Sequence, residues 1–187
     1  FTSIETAIKA ADGAKDEEGN PIPVKLFADI VLTEGVTVPA GKTVTLDLNG
    51  KTLTNNSQIV VRGVLTIVAN GGKVEGSGTI APDGTEPFIE KAPTVIADAG
   101  ITVRKPNGAT QYVCDNSAKT ITTFVLATVG EANYYDIREA IAAAKTSGTT
   151  LVLNASISLN SALVVEAGES LAINLNGKTL TGKITDG

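Results

Sequence analysis

The stretch Val38-Pro39-Ala40-Gly41-Lys42-Thr43-Val44-Thr45-Leu46-Asp47-Leu48-Asn49-Gly50-Lys51-Thr52-Leu53 decides how the chain is read. From Thr43 to Leu48 polar and apolar residues alternate. That is the period of a strand with one buried and one wet face, and it places Asp47 on the wet side. Asn49-Gly50 is a turn dipeptide, since Asn tolerates the left-handed backbone region and Gly enters it freely. Between two strands, Asn-Gly usually makes a hairpin. An echo argues otherwise: Val44-Thr45-Leu46…Asn49-Gly50 returns 21 residues later as Leu65-Thr66-Ile67…Asn70-Gly71. A lone hairpin produces no such echo. Short strands, polar corners and a recurrence near 21 residues fit successive coils of a parallel β-helix, with Asn49 and Asn70 stacked at equivalent corners. Gly63, Gly72, Gly76, Gly78, Gly84 and Gly100 mark further corners.

A longer repeat encloses the short one. Val24 to Thr54 aligns without a gap on Leu151 to Thr181, and the turn octet reads DLNGKTLT in one copy and NLNGKTLT in the other, which makes Asn176-Gly177 a third turn of the same kind. Upstream of each copy lies an amphipathic helix: Ile4, Ala7, Ile8 and Ala11 recur at helical spacing, as do Ile137, Ala140, Ile141 and Ala144. Thr2 or Ser3 in the first copy and Asp136 in the second are suited to cap these helices, Glu139 would complete a capping box with Asp136, and Gly13 and Gly148 stop them. The expectation is a complete repeat over 1–133, with a cap helix at about 3–12 followed by coils, and the start of a second over 134–187, with a cap helix at about 136–146. Because an uncapped solenoid would leave an open strand edge, the chain reads as a window on a longer polypeptide.

Composition narrows the chemistry. The chain has 187 residues, enough for a real core, which Val, Ile, Leu and Ala must fill because aromatic residues make up only 4%. There is no His, so His-dependent triads and zinc hydrolase sites are excluded. One Cys permits neither a cysteine zinc site nor an internal disulfide. A net charge of −5 argues against a nucleic-acid partner, which would want clustered positive charge. No apolar run is long enough to span a membrane.

The fold is therefore read as mainly β: a right-handed parallel β-helix with a short capping α-helix in each repeat. The Ile-x-x-Ala-Ile-x-x-Ala helix and the rung from Val38 to Leu53 resemble the pectate-lyase-like right-handed β-helix superfamily, specifically the non-catalytic repeats of bacterial cell-surface proteins and of phage fibre or head-appendage proteins. The resemblance covers about 1–75 and again 134–187. Between Pro82 and Val129 strands can be placed at Thr94–Ala97, Ile101–Lys105 and Thr120–Ala127, but coils cannot. What the resemblance implies is an extracellular structural or adhesive module on a virion or a bacterial surface. Its partners would be other repeats of the same chain, a homo-oligomer, and a capsid or cell-wall anchor or a surface glycan. The alternative is a polysaccharide lyase or hydrolase, or a glycan-binding β-helix, whose active coils lie partly outside this segment.

Against that alternative stands the poverty of candidates. Asp47 is the best acidic one, yet its counterpart is Asn174, so the charge is not retained; Asp98 and Asp115 are the other carboxylates that turnover would have to use. Arg62 and Arg104 are isolated among apolar neighbours, and Arg62 reads as a solubilising residue. Asp16-Glu17-Glu18-Gly19-Asn20 is rich in oxygen but lacks the ligand spacing of an EF-hand loop, and the second copy has no such insertion. Cys114 alternates like a small core residue. Lys51-Thr52 and Lys178-Thr179 persist in both copies. A glycan face would want Trp or several Tyr; Tyr112, Tyr134 and Tyr135 are the supply, and Tyr134-Tyr135 are placed to staple the chain entering the second helix. No catalytic residue, metal site or cofactor is assigned. Loops at Asp12–Pro23 and Ala81–Ala92 are the expected places for any contact with a partner.

Overall fold

In a computed structural model, which describes residues 3–11, 16–18, 22–103, 113–114, 119–122 and 124–186, the chain is a β-solenoid of about 7 turns, 42% strand and 10% helical. It forms two compact units, residues 1–83 with 93–122, and residues 84–92 with 123–187. The sequence repeat changes over at 133/134, so residues 123–133 and a nine-residue segment, 84–92, side with the second unit although they belong to the first repeat. That segment is called the strap below.

In the first unit α1 (Ile4–Ala10) precedes three coils of three strands each. These are β1 (Val24–Lys25), β2 (Ile30–Leu32) and β3 (Val36–Val38); β4 (Thr43–Asp47), β5 (Thr52–Asn55) and β6 (Gln58–Val61); and β7 (Val64–Val68), β8 (Lys73–Glu75) and β9 (Thr79–Pro82). Every strand pairs in parallel with its equivalent one coil on, in the orders β1-β4-β7, β2-β5-β8 and β3-β6-β9. Thr43 faces Val64 and Thr52 faces Lys73, so the 21-residue echo is the step from the second coil to the third; the step from the first coil to the second is 22 or 23 residues, Val24 facing Leu46 and Ile30 facing Leu53. Asn49-Gly50 is thus a corner between two different sheets and not a hairpin.

The coils close because one face of each strand is aliphatic. Val24, Leu46, Ile67 and Ala97 form one row through four successive coils; Val36, Ile59 and Ile80 form another, and all are buried. Burial of each Val, Leu or Ile side chain contributes roughly 1.5–3 kcal/mol. The coils also approach so closely at their corners that some positions admit no side chain. A Cβ on Gly63 would lie 2.2 Å from the Lys42 carbonyl oxygen and 2.5 Å from that of Pro39.

After β9 the chain gives up its strap, with β10 (Phe88–Ile89), to the second unit and then resumes. β11 (Thr94–Ala97) pairs with β7 at a spacing of 30 residues, Val64 facing Thr94; subtracting the nine strap residues restores the period of 21. Stacking then reverses. β14 (Lys119–Thr122) runs antiparallel on β11, and β13 (Val113–Cys114) antiparallel on β12 (Ile101–Thr102), which covers the last coil with strands of opposite direction. The segment read as one strand over Thr120–Ala127 is two: β14, and β15 (Ala127–Val129) in the other unit. Ile101 and Thr102 are strand as expected, while Arg104 and Lys105 lie outside the described residues.

In the second unit the hairpin of β15 and β16 (Ala132–Tyr134) leads into α2 (Ile137–Ser147). β17 (Leu151–Leu153), β18 (Ile157–Ser158) and β19 (Leu163–Val165) form one coil. β20 (Ile173–Asn174), β21 (Leu180–Thr181) and β22 (Ile184–Asp186) pair with them in parallel. On the other side β15 lies antiparallel to β17, and β10 of the strap lies parallel to β18. Ile137, Ala140, Ile141 and Ala144 of α2 enter this core, as Ile4, Ala7 and Ile8 of α1 enter the first.

Candidate functional site

Two polar constructions stand out among the described residues, a column along the Asn-Gly corners and a clasp around the strap. The corners come first. Asn49, Asn70 and Asn176 have φ of 48°, 40° and 48°, and Gly50, Gly71 and Gly177 have φ of 73°, 78° and 72°, so all three dipeptides share one left-handed pair. The geometry suits Asn and Gly and strains other residues. Each Asn then works sideways. The Asn49 side-chain amide donates to the Leu26 carbonyl one coil back (2.9 Å), and that of Asn176 donates to Leu153, the residue equivalent to Leu26 (3.2 Å). Asn70 donates instead to Asp47 Oδ1 (3.0 Å), joining its own corner to the one before.

Asp47 is the acceptor at the centre of this column. It is 8% exposed, so the wet-face placement read from alternation is corrected: the corner folds the carboxylate under the next coil. Its Oδ1 takes the N–H of Asn49 (2.8 Å) as well as the Asn70 amide, and Lys25 stands 4.0 Å from Oδ2. In the second copy Asn174 Oδ1 accepts the N–H of Asn176 (2.9 Å) in the same way. The position requires an acceptor oxygen rather than a charge, which accounts for the exchange of Asp and Asn between copies. Asp98 likewise accepts the N–H of Ala69 (3.0 Å). Asp29 accepts the N–H of Thr52 (2.8 Å), and Ser156, its counterpart, that of Thr179 (3.3 Å), so the persistent Lys-Thr pairs sit where one coil bonds to the next. Sequence reading missed Asn55, which is 1% exposed; its amide donates to the Thr79 carbonyl and its Oδ1 accepts the N–H of Ser57, each at 3.2 Å.

The helix caps take the geometry that their residue types favour. Ser3 Oγ accepts the Thr6 N–H (3.1 Å), and Asp136 Oδ1 accepts those of Arg138 (2.7 Å) and Glu139 (3.4 Å). Glu139 is exposed and only its backbone takes part, so the box read from the sequence is half of one. Gly148 ends α2 in the left-handed region; Gly13, expected to end α1, lies outside the described residues.

The clasp was not foreseen. Glu90 on the strap receives Arg138 Nη2 and Nε (2.7 and 3.1 Å) and the Asn160 N–H (2.8 Å), while Arg138 also donates to the Ser161 and Ala162 carbonyls. Glu86 takes the Ser156 N–H (3.2 Å) and Lys178 Nζ (3.3 Å), and Lys91 pairs with Asp136 at 3.2 Å. Phe88 is buried between them, its ring 5.4 Å from that of Phe124. Partial burial pushes the Glu90 carboxyl upward, but the bonds from Arg138 and Asn160 and the Arg138 charge outweigh it, leaving the group below the ordinary carboxylate range. The Glu86 carboxyl is also lowered, first by the Ser156 N–H.

The remaining candidates are scattered. Arg62 is half exposed and paired with Asp83 at 2.7 Å, one coil on. Asp16 to Glu18 are exposed and bonded among themselves, and Gly19 and Asn20 lie outside the described residues, as do Arg104, Tyr112 and Asp115. Cys114 belongs to β13, but its side chain is not described. Tyr134 packs against the second core and Tyr135 is exposed. A shallow cavity of about 160 Å³, lined by Asn55, Val74, Glu75, Gly78, Ile80 and Thr102 among others, holds one carboxylate, and that is tied to Lys73 (2.7 Å) and Thr54 (3.3 Å). No group of three or more potential metal ligands occurs among the described residues, and no helix there is long and apolar enough to cross a membrane. Comparison with protein-family models, curated proteins and solved structures found no match.

Proposed function

We propose that the chain is a non-catalytic structural or adhesive repeat module of an extracellular fibre or surface appendage, of the kind carried by bacterial cell surfaces and phage particles, built on a pectate-lyase-like β-helix. The observation that supports this reading is the use made of the polar corner residues: Asp47, Asn49, Asn70, Asp98 and Asn176 bond to neighbouring backbone or to each other. Carboxylates committed in this way hold coils together. A pulling force along such an axis loads parallel ladders of backbone hydrogen bonds and interleaved aliphatic rows, and the coils resist together as a stiff spacer.

Stretching the first unit between residues 22 and 103 in a single-molecule instrument tests this. A coil of 21 residues should release roughly 70 Å of chain as it peels away, in discrete steps. Smooth extension without steps contradicts the mechanical role. Turnover of an acidic polysaccharide, abolished by replacing Asp47, Asp98 and Asp115 together, would replace the proposal with a lyase or hydrolase, and retention on a glycan array would replace it with a glycan-binding module.

A further inference from the structure

In the second unit the strap lies parallel on the upstream edge of β18, with Phe88 beside Ile157 and Ile89 beside Ser158. The N–H groups of Phe88 and Glu90 donate to the Ser156 and Ser158 carbonyls at 2.9 and 3.2 Å. The equivalent strand of the first unit is β2, and among the described residues it is the edge of its sheet, paired on one side only, with β5. The two edges differ in what they offer. Ile157 is fully buried, whereas Ile30, in the same place, is half buried. Where the second unit has Ser158 and Asn154, the first has Val31 and Phe27, which are 62% and 81% exposed. The charges differ too. The strap brings Glu86 to Ser156 and Glu90 to the clasp of Arg138 and Ser161. At the positions of Ser156 and Ser161 the first unit has Asp29 and Glu34.

We propose that the upstream edge of β2 is a strand-docking surface for a partner segment that pairs in parallel, carries two adjacent large apolar residues, and has a cation on either side of them. The apolar pair covers Ile30 and Val31 as Phe88 and Ile89 cover Ile157 and Ser158. Backbone hydrogen bonds supply the attachment, and the cross-strand contact on Val31 adds to it. The flanking cations meet Asp29 and Glu34, which repel a strap bearing Glu86 and Glu90. The surface therefore selects a basic-flanked strand over one that bears the carboxylates of the strap.

Two nine-residue peptides test this, one with the sequence of residues 84–92 and one with Glu86→Lys and Glu90→Lys. Each is titrated into the full chain at low salt while amide exchange at Val31, which takes the place of Ser158 in the ladder, is followed. The lysine peptide is expected to slow exchange at Val31 and to bind about fivefold more tightly than the strap peptide, as two exposed ion pairs would give. Phe27→Asn with Val31→Ser, which copies the second unit's edge at exposed positions, should abolish the protection, and Glu34→Lys should remove the preference between the peptides. Unchanged circular dichroism in these variants shows that the coils persist. The proposal is overturned if neither peptide protects the Val31 amide, if the strap peptide binds as well as or better than its lysine counterpart, or if Glu34→Lys leaves the preference intact.

Discussion

The octets DLNGKTLT and NLNGKTLT fold alike and are buried differently. Their Asn-Gly corners agree within a degree in φ at both residues, and both Asn side chains reach back to the equivalent carbonyl. Yet Leu48 is fully buried and Leu175 is 48% exposed. In the first unit a third coil, β7 to β9, lies over the octet; no such coil covers the second copy among the described residues. Local sequence sets the corner and a neighbouring coil sets the burial, and only the first of these can be read within eight residues.

The largest effect should come from removing room between coils. Gly63→Ala forces a Cβ to within 2.2 Å of a backbone oxygen, and a loss of about 3 kcal/mol in chemical denaturation of the first unit is expected. Next, the comparison itself can be broken: Leu48→Ala should cost about 2 kcal/mol and Leu175→Ala about 0.5 kcal/mol or less, measured in the same way. Equal losses would mean that burial at the two octets does not differ as described.

A smaller effect concerns acid. The Glu90 carboxyl is lowered by the clasp, so its ionised form favours the folded state. The resulting stability is present above the carboxyl's unfolded value and is lost as pH falls through the lower, folded one. The second unit should therefore lose stability on acidification over that interval. Glu90→Gln should flatten the dependence, with a loss near neutral pH of about 1–2 kcal/mol. The smallest effect sharpens the lesson of Asn174: Asp47→Asn keeps the acceptor oxygen and should change stability by about 0.5 kcal/mol or less, while Asp47→Ala strands the Asn49 N–H and the Asn70 amide and should cost about 1–2 kcal/mol.

How far the sequence disclosed all this follows from the range of the interactions. The coil length, the corners at Asn49, Asn70 and Asn176, the strand at Thr94–Ala97 and both helices are written in short periods, and these are legible because side chains repeat wherever the backbone repeats. The strap was not legible. Its pairing of Phe88 with Ile157 and of Glu90 with Arg138 spans dozens of residues, and no local pattern encodes a partner so distant. One trace of it existed: the coil echo lengthens from 21 to 30 between Val64 and Thr94, and the surplus is the strap. Asp47 was misplaced for a similar reason, since alternation reports which way a strand residue points but not whether the next coil folds over it.

The most direct test of the account is the pairing partner of the strand that ends at Asn49-Gly50. Nuclear Overhauser contacts across β4 distinguish the two possibilities that the dipeptide allows. A coil corner predicts parallel-type contacts between Thr45 and Thr66 and between Leu46 and Ile67, each pair 21 residues apart. Antiparallel contacts across the turn, pairing Leu46 with Leu53, would make it a hairpin and contradict the solenoid.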